Sequence, residues 1–447
     1  MSDLSALSLN RRRLLQLATA SAAGLGLTAC GDNGRAAPGP DGGATGRITV
    51  WSWTTAAAAL RGVVPDFQKA NPAITVEVVD CGNPAIWDKI TVGMASGGKG
   101  LGDVLHIGCD YLPGYLEKFP GGLADLSKHG ASDYSGSFAK GLWPTVTGKD
   151  KGVYALPWEV NPLGMFYRRD YFEKAGVDPT AMTSWDELIA AGPKVKAATG
   201  AQIVDVDKSG SSQNMDFFQN LMQLQGAFYF NLDGAVTLGS PEAVTAMTVI
   251  KRLNDTGLLA DSGGTGTWKR LMLQGKLATS PNPAWAAEYL ATSFPAENGD
   301  WRVMQPLAAA PGGGRNAIVN STFLAVPSSS PRQQAAWLFI QFALTRPAEI
   351  TRMFKAGGVF PALPAAYSDP VFSAPDPFYG GQQVLKTFVD SLNEGSRATN
   401  FTGDYARALK LASDAQTQVL IKGADPATVL RDAAKQLAQQ TGRPQAS

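Results

Sequence analysis

Apolar and polar positions along the first third of the chain follow two different periods. Residues 47–53 (RITVWSW) and 74–82 (ITVEVVDCG) have the two-residue alternation of strands, and the apolar run DVLHIGC at 103–109 predicts a third strand. Residues 58–72 and 85–97, which lie between them, have helical spacing. The order strand, helix, strand, helix, strand predicts a mainly parallel sheet, in which ligands collect at the carboxyl ends of the strands.

Large and polar side chains stand at these predicted strand ends. Trp51 and Trp53 share one face of the first strand, because alternate residues of a strand point the same way, and Trp53 lies further past the strand end. The other residues at the predicted ends are Cys81, Asn83, Asp110 and Tyr111. Two tryptophans on one face either fill a core or line a site, and the pattern alone leaves both interpretations open.

After residue 151 the pattern changes to an extended segment. Pro157 and Pro162 bracket residues 158–161, and because proline fixes φ and lacks a backbone donor, we predict an extended crossing between lobes rather than a helix. Helices are predicted at 183–200, 214–230 and 240–259. Residues 276–290 predict a strand, a proline-rich loop and a helix that starts near Trp285.

Length and charge narrow the classes of function. With 447 residues, the chain is long enough for two or three domains. Its 39 Lys and Arg residues balance 38 Asp and Glu residues, which gives a net charge of +1. Because a nucleic-acid-binding surface needs an excess of basic residues, we expect no nucleic acid as a partner.

Residues 1–30 have the features of a signal peptide. The segment NRRRLLQ at 10–16 resembles a twin-arginine export motif, and the apolar run at 14–29 is too short for a membrane span. It ends in LTAC at 27–30, which resembles a bacterial lipobox, so we predict cleavage before Cys30 and lipidation of that cysteine. A plain secretory signal with a chance cysteine is the alternative, and the choice between the Tat and Sec routes stays open.

A glycine-rich stretch follows the predicted cleavage site. Residues 31–46 contain no aromatic residue and are predicted to form a flexible tether. We therefore expect an extracytoplasmic lipoprotein, anchored by lipid to the outer face of the cell membrane.

The two remaining cysteines allow a disulfide or a metal site to be considered. An oxidising location permits a bridge between Cys81 and Cys109. Their predicted separation of two strand spacings, about 9.5 Å, exceeds the limit of about 7 Å unless the loops bend inward, so the bridge stays open. His106 with these cysteines matches no common zinc spacing, and we expect no metal and no cofactor.

Six segments of the chain carry a family resemblance. They are YALPWEVNPLGMFYRRDYFEKAGVDP, TSWDELIAA, FFQNLMQLQGAFYF, SPNPAW, NSTFLAVPSSSPRQQAAWLFIQFAL and DYARALKLASDAQTQVLIKGADPATVLRDAAKQL. In this order, behind a lipobox, they resemble the bacterial extracellular solute-binding proteins of family 1, the maltodextrin-binding-like receptors that deliver sugars to ABC importers. The resemblance runs from about residue 47 to the end of the chain.

The resemblance implies a two-lobed α/β fold of the periplasmic-binding-protein type II. Each lobe is expected to be a mainly parallel sheet flanked by helices, with three hinge crossings between the lobes. The implied first lobe is residues 47–156 and 309–351, and the second is 157–308 and 352–447. The implied mechanism is hinge closure around a ligand, by a monomer that then docks on the permease subunits of an ABC transporter.

The resemblance also implies which residues bind the ligand. Trp285 matches the stacking aromatic of the second lobe, with Trp53 and Trp158 as further rings, because sugars present flat C–H faces to aromatic side chains. Asp110 and Glu159 are expected to accept hydrogen bonds from sugar hydroxyls. The further candidates are Asn83, Tyr111, Asn161, Asn320, Ser321, Gly358 and Phe360, and Arg397, Asp404 and Tyr405 lie in a stretch that lines the cleft in relatives. The expected ligand is a neutral di- or oligosaccharide.

Two other classes of function are weighed against this receptor. An exported glycoside hydrolase would place two carboxylates, here Asp110 and Glu159, on either side of a sugar. The sequence has no G-x-S-x-G, H-E-x-x-H or P-loop motif, and His106 and His129 are its only histidines. A surface adhesin would show repeats or a flat aromatic face, and the sequence shows neither. The favoured interpretation is a binding protein that is not an enzyme.

Overall fold

The computed structural model describes residues 44–210, 215–263 and 267–446. The predicted signal peptide, Cys30 and most of the predicted tether lie outside the described residues. The strands are β1 (Gly46–Ser52), β2 (Ile74–Asp80), β3 (Val104–Gly108), β4 (Ala155–Arg168), β5 (Val204–Val206), β6 (Leu259–Asp261), β7 (Thr279–Pro283), β8 (Trp301–Met304) and β9 (Ile318–Ala325).

Helices surround these strands. They are α1 (Thr54–Ala70), α2 (Ala85–Ala95), α3 (Leu112–Lys118), α4 (Trp143–Val146), α5 (Arg169–Lys174), α6 (Trp185–Thr199), α7 (Asp216–Leu224), α8 (Pro241–Asp255), α9 (Thr267–Leu273), α10 (Ala286–Ser293), α11 (Gln333–Thr345), α12 (Pro347–Gly357), α13 (Val384–Glu394), α14 (Tyr405–Lys422) and α15 (Pro426–Thr441). Of the described helices, none combines the length and the apolar composition that a membrane span requires.

The main sheet has the order β2-β1-β3-β9-β4-β7, and β8 also pairs with β4. β1 pairs in parallel with both β2 and β3, as predicted, so the ends of β2 and β3 flank the Trp53 end of β1. Helices α1 and α2 connect these strands, as the sequence periodicity predicts. Residues that follow the three strands therefore meet at one edge of the sheet.

The other half of the sheet differs from the prediction of mainly parallel strands. β9 is antiparallel to β3 and to β4, and β4 is antiparallel to β7 and β8. The small β5-β6 sheet is parallel. The physical reason is that β4 and β9 are not joined by βαβ units to their neighbours, so no right-handed crossover forces a parallel direction. The α/β fold class predicted from the sequence is confirmed, with a mixed main sheet.

β4 is the element that connects the two halves of this sheet. Its residues 155–162 pair with β9, its residues 163–167 pair with β7 and its residues 165–168 pair with β8, so the strand changes partners after Pro162. The register shifts at both prolines of the segment, where the backbone lacks a donor for the ladder. The segment is extended and not helical, as predicted.

A third extended segment, residues 359–362, lies against the same part of β4. The Val160 amide donates to the Phe360 carbonyl at 3.0 Å, and the Ala362 amide donates to the Trp158 carbonyl at 2.9 Å. Thus β4, β9 and residues 359–362 run side by side where the chain passes between the two halves of the sheet.

A polar cluster centred on Arg443, which follows α15, joins α3 to the segment before α14. Its guanidinium donates to Glu117 of α3 at 2.7 Å and to Asp404 at 2.8 Å. Glu117 also accepts from the Gly403 amide at 2.8 Å. A Cβ on Gly114 would approach the Gly403 Cα to 3.4 Å, so the two backbones pack closely here. We call Glu117, Gly403, Asp404 and Arg443 the Arg443 cluster.

Candidate functional site

A cavity of about 310 Å³ lies at the sheet edge formed by the ends of β1 and β3, against the crossing strands β4 and β9. Seven of the residues predicted from the sequence line it together: Trp53, Asp110, Glu159, Asn161, Trp285, Asn320 and Ser321. Its other lining residues are Trp87, Gly108, Cys109, Asp216, Gln219, Val319, Thr322, Phe401 and Tyr405. We call this space the central chamber.

Aromatic rings form a continuous row along one side of the central chamber. Trp53 stacks on the imidazole of His106, with centroids 3.7 Å apart and planes at 6°, and lies 5.1 Å from Trp87. Trp87 in turn stacks on Tyr111 at 4.4 Å. His106 also contacts Trp158, with centroids 4.5 Å apart and a tilted arrangement of the rings. Because each ring is held by its neighbours, Trp53 and Trp87 present fixed apolar faces to the chamber.

A chain of hydrogen bonds connects β1 to Glu159 through the same histidine. His106 Nδ1 lies 2.9 Å from Ser52 Oγ, and its Nε2 lies 2.7 Å from Thr322 Oγ1. Thr322 gives its only hydroxyl proton to Glu159 at 3.2 Å, so it must accept a proton from Nε2. Burial lowers the pKa of His106 well below its ordinary value, so the ring is neutral. Its Nδ1 is therefore the acceptor for the Ser52 hydroxyl.

Asp110 is the acidic residue at the end of β3. A Cβ on Gly108 would collide with Oδ1 of Asp110, so the glycine leaves the space that the carboxylate occupies. Burial raises the pKa of Asp110 to about 6, and no cation opposes the shift. Burial also raises the pKa of Glu159, whose charge is partly stabilised by hydrogen bonds from Asn161 and Thr322.

The opposite wall comes from α7, α14 and the start of α10. The hydroxyl of Tyr405 donates to Gln219 Oε1 at 2.8 Å, which fixes both side chains. Asp216, in the first turn of α7, keeps its side chain open to the chamber, while the surrounding protein raises its pKa. Trp285 is the N-cap residue of α10, two residues after Pro283, and is 40% exposed.

Two neighbouring spaces share walls with the central chamber. A chamber of about 430 Å³ shares Asp110, Asp216, Gln219 and Tyr405 with it. A chamber of about 170 Å³ shares Asp216 and Trp285, and adds Asp205, Trp268 and Asn282. We call these the large and the small chamber. The three chambers are adjacent because they share wall residues, and we call them together the groove.

Comparison with known proteins identifies the family. A sequence model described as bacterial extracellular solute-binding protein matches residues 62–377, which is more than half of the chain. The chain belongs to the bacterial extracellular solute-binding proteins. The family resemblance predicted from the sequence is therefore confirmed, and members of this family bind solutes outside the cytoplasm.

Curated relatives of this solute-binding protein include two with named ligands. A lactose-binding protein of Rhizobium radiobacter is 27% identical over 403 residues, which cover 88% of this chain and 93% of the relative. An arabinooligosaccharide-binding protein of Bacillus subtilis is 26% identical over 260 residues, which cover 57% of this chain and 58% of the relative.

Solved structures share the fold. An extracellular solute-binding protein of family 1 superposes with a TM-score of 0.74 at 20% identity, covering 88% of this chain and 99% of the other. An ABC transporter-associated binding protein from B. animalis subsp. lactis, in complex with β-1,6-galactobiose, gives a TM-score of 0.70 at 26% identity, covering 90% of this chain and 100% of the other. These neighbours confirm the two-lobed type II fold.

Five predicted site residues of this solute-binding protein lie outside the wall of the central chamber. Trp158 is fully buried, because alternation along β4 turns it away from the face that carries Glu159 and Asn161. Phe360 is 1% exposed and packs among Phe354, Tyr367 and Phe372. Both rings therefore stabilise the crossing segments from behind.

The other three predicted residues have supporting positions. Asn83 accepts a hydrogen bond from Trp87 Nε1 at 3.2 Å and so orients that ring. Tyr111 stacks behind Trp87 and lines the large chamber. Gly358 has a φ of +68° and ends α12, so it is required by the turn.

Sequence reasoning missed several residues of the site. Trp87 lies in the first turn of α2, directly after the end of β2, so the strand-end rule that selected Asn83 would also have selected it. Asp216, Gln219 and Phe401 come from elements whose packing against the chamber has no local signal in the sequence. Tyr405, noted only as part of a stretch that lines the cleft in relatives, does line the central chamber.

Cys81 and Cys109 do not form a disulfide in this structure. Cys81 and Cys109 are both buried free thiols, and burial raises the pKa of Cys109 to about 12. A thiol with so high a pKa is protonated and unreactive at neutral pH. Among the described residues, no group of three or more His, Cys, Asp and Glu side chains could hold a metal ion.

We predict that Asp110→Asn raises the free energy of unfolding at pH 7 by about 1–2 kcal/mol. The folded-state pKa of about 6 lies above the ordinary value of 3.8, so the folded state binds more protons than the unfolded state between these two values. Stability therefore falls as pH rises through this window, and the asparagine removes that loss. Denaturant titrations at several pH values measure the effect.

The matched control is Asp80→Asn, for which the opposite sign is expected. The Asp80 carboxylate accepts from the Thr54 and Gly82 amides, and the Gly82 bond is the larger of the causes that lower its pKa. The ionised Asp80 carboxylate adds to the free energy of unfolding above its ordinary pKa, and this contribution is lost as pH falls through the folded-state pKa. Asp80→Asn is therefore expected to be less stable than the natural protein at pH 7. A pH profile of Asp110→Asn identical to that of the natural protein would contradict the assignment. Asp205, with a pKa of about 6, leaves part of the pH dependence in place.

Proposed function

We propose that this solute-binding protein captures a carbohydrate of two or more units in the groove and delivers it to the permease subunits of an ABC importer. The observation that carries the proposal is the composition of the central chamber: rings of Trp53, Trp87 and Trp285 face carboxylates and amides across one cavity. Rings stack on the C–H faces of sugars, and carboxylates and amides bind the hydroxyl rim. The named ligands of the relatives, lactose and arabino-oligosaccharides, agree with this class.

We propose that the binding step is closure of two lobes about the segments that run side by side. The crossings would be β4, β9 and residues 359–362, which supports the two-lobed division predicted from the sequence. The predicted boundaries at 308/309 and 351/352 precede the second and third of these crossings by several residues. A sugar that contacts Trp53 on one side and Trp285 on the other stabilises only the closed arrangement.

The ligand class is tested by calorimetric titration of the purified protein with di- and oligosaccharides, supported by thermal shift. A carbohydrate that binds only the folded state raises the melting temperature by an amount that grows with the logarithm of its concentration above Kd. We expect at least one member of the panel to bind and to be recovered unchanged after hours of incubation. Absence of binding by every carbohydrate, or formation of a cleavage product, would refute the proposed receptor function.

The stacking role of Trp285 gives a second prediction. Trp285→Ala should weaken binding of the best sugar by about 1–3 kcal/mol, because a large apolar face is lost from the chamber. The melting temperature of the free protein should change little, since the ring is 40% exposed. Calorimetry and thermal unfolding measure the two quantities separately.

Trp337→Ala is the control for a tryptophan that serves packing alone. Trp337 lies in α11, away from the groove, and is 2% exposed, so its removal should reduce stability by about 3–5 kcal/mol and leave the affinity of the folded protein unchanged. If Trp285→Ala behaves like this control, the stacking role is wrong.

We further propose that Cys30 is lipidated and anchors the protein to the outer face of the membrane, as the lipobox at 27–30 indicates. Cys30→Ala should lose the lipid label and move from the membrane fraction to the soluble fraction. Cys81→Ala, which removes a buried thiol of the folded part, should stay in the membrane fraction. A Cys30→Ala protein that remains labelled and membrane-bound would disprove the anchor.

A further inference from the structure

The charges along the groove are unbalanced. Four carboxylates line its three chambers: Asp110 and Glu159 in the central chamber, Asp216 at all three, and Asp205 in the small chamber. Lys118, in the large chamber, is the only basic side chain among the described lining residues. The chain between residues 44 and 446 has no Lys, Arg or His outside the described ranges, so no further cation is available from that part of the sequence.

None of the four carboxylates has an ion-pair partner among the described residues. Arg397 lines a separate small recess that shares Asn320 and Ser321 with the central chamber. Desolvation by the surrounding protein raises the pKa of Asp110 and of Asp216, and no cation lowers either pKa. Asp110, Asp216 and Tyr405 line both the central and the large chamber, and both aspartates raise the pKa of the Tyr405 hydroxyl.

The central chamber also contains a buried hydrogen-bond acceptor that has no donor among the described residues. Asn161 is 2% exposed, lies in the chamber wall, and its Oδ1 has no hydrogen-bond partner. An unpartnered buried acceptor is unfavourable unless a ligand donates to it. With the carboxylates of Asp110, Glu159 and Asp216, the described wall of the central chamber has three acidic acceptors and no cationic donor. A hydroxyl offers one donor and two acceptor lone pairs, whereas an ammonium offers three donors and no acceptor.

We propose that the groove prefers a carbohydrate that carries a free amino group, with the ammonium held between Asp110 and Asp216 beside Tyr405. This inference rests on the proposed function and narrows its ligand class. The carboxylates supply the charge that an ammonium needs, and the faces of Trp53, Trp87 and Trp285 stack on the sugar rings or on the cation. The same field disfavours uronates and phosphorylated sugars.

The test uses matched sets of disaccharides that differ only in their substituents at C2. One set is cellobiose, its 2-amino counterpart from chitosan and its N-acetylated counterpart from chitin; the other is lactose, lactosamine and N-acetyllactosamine. Calorimetry at about pH 6.5, at low and high salt, measures Kd for each. We expect the free amine to bind about 10-fold or more tightly than its neutral parent in at least one set, with the preference reduced by salt and absent from the N-acetyl form.

Variants assign the preference to residues. Asp110→Asn and Asp216→Asn should each reduce the ratio of the neutral Kd to the amine Kd at least several-fold, whatever they do to binding overall. Asp80→Asn, which changes an exposed aspartate at the end of β2 outside the groove walls, should leave that ratio unchanged. Because the ratio compares two ligands on the same protein, a general loss of stability does not move it.

The outcomes separate this inference from the proposed function. Equal or tighter binding of the neutral parents overturns the amine preference and leaves a carbohydrate receptor in place. A preference that survives in both aspartate variants overturns the assignment to these residues. Failure of every neutral, amino and N-acetyl sugar, with folded protein, overturns both.

Discussion

The fold and the groove both depend on one strand that pairs with two different sets of neighbours. The first half of β4 pairs with β9, and its second half pairs with β7 and β8. Pro162 lies where the pairing partners change. A proline inside a central strand removes a ladder hydrogen bond, so the pairing of β4 is interrupted here. Glu159 and Asn161, which line the central chamber, precede this proline in the same strand.

His106 gives the site its second constraint. The imidazole is neutral and fully buried, its two nitrogens bind Ser52 and Thr322, and its ring stacks on Trp53 and contacts Trp158 in a tilted arrangement. A single side chain therefore sets the orientation of one stacking surface and, through Thr322, of one carboxylate. The site is positioned by a packed polar core and not by loops alone.

The sequence predicted those site residues whose positions follow from the periodicity of a single strand. Strand periodicity located the carboxyl ends of β1 and β3, and with them Trp53 and Asp110, because parallel pairing brings such ends together whatever the loops do. The two prolines of β4 likewise predicted an extended segment, which the structure confirms. Trp158 could not be separated from Glu159 in the same way, since which face of a strand looks into a cavity depends on elements distant in the chain. Asp216 and Gln219 belong to a helix that is placed by tertiary packing alone.

Under the proposed closure of the lobes, the Arg443 cluster would affect affinity in a way that the groove does not. Glu117 and Arg443 do not line the three chambers, so they do not distinguish one sugar in the groove from another. Contacts of this kind that form only on closure would multiply every association constant by one common factor, whereas the groove would determine the order of preference among ligands. A substitution at Glu117 or Arg443 would then change the affinity for every sugar without changing the selectivity among sugars. Affinity and selectivity could therefore evolve independently.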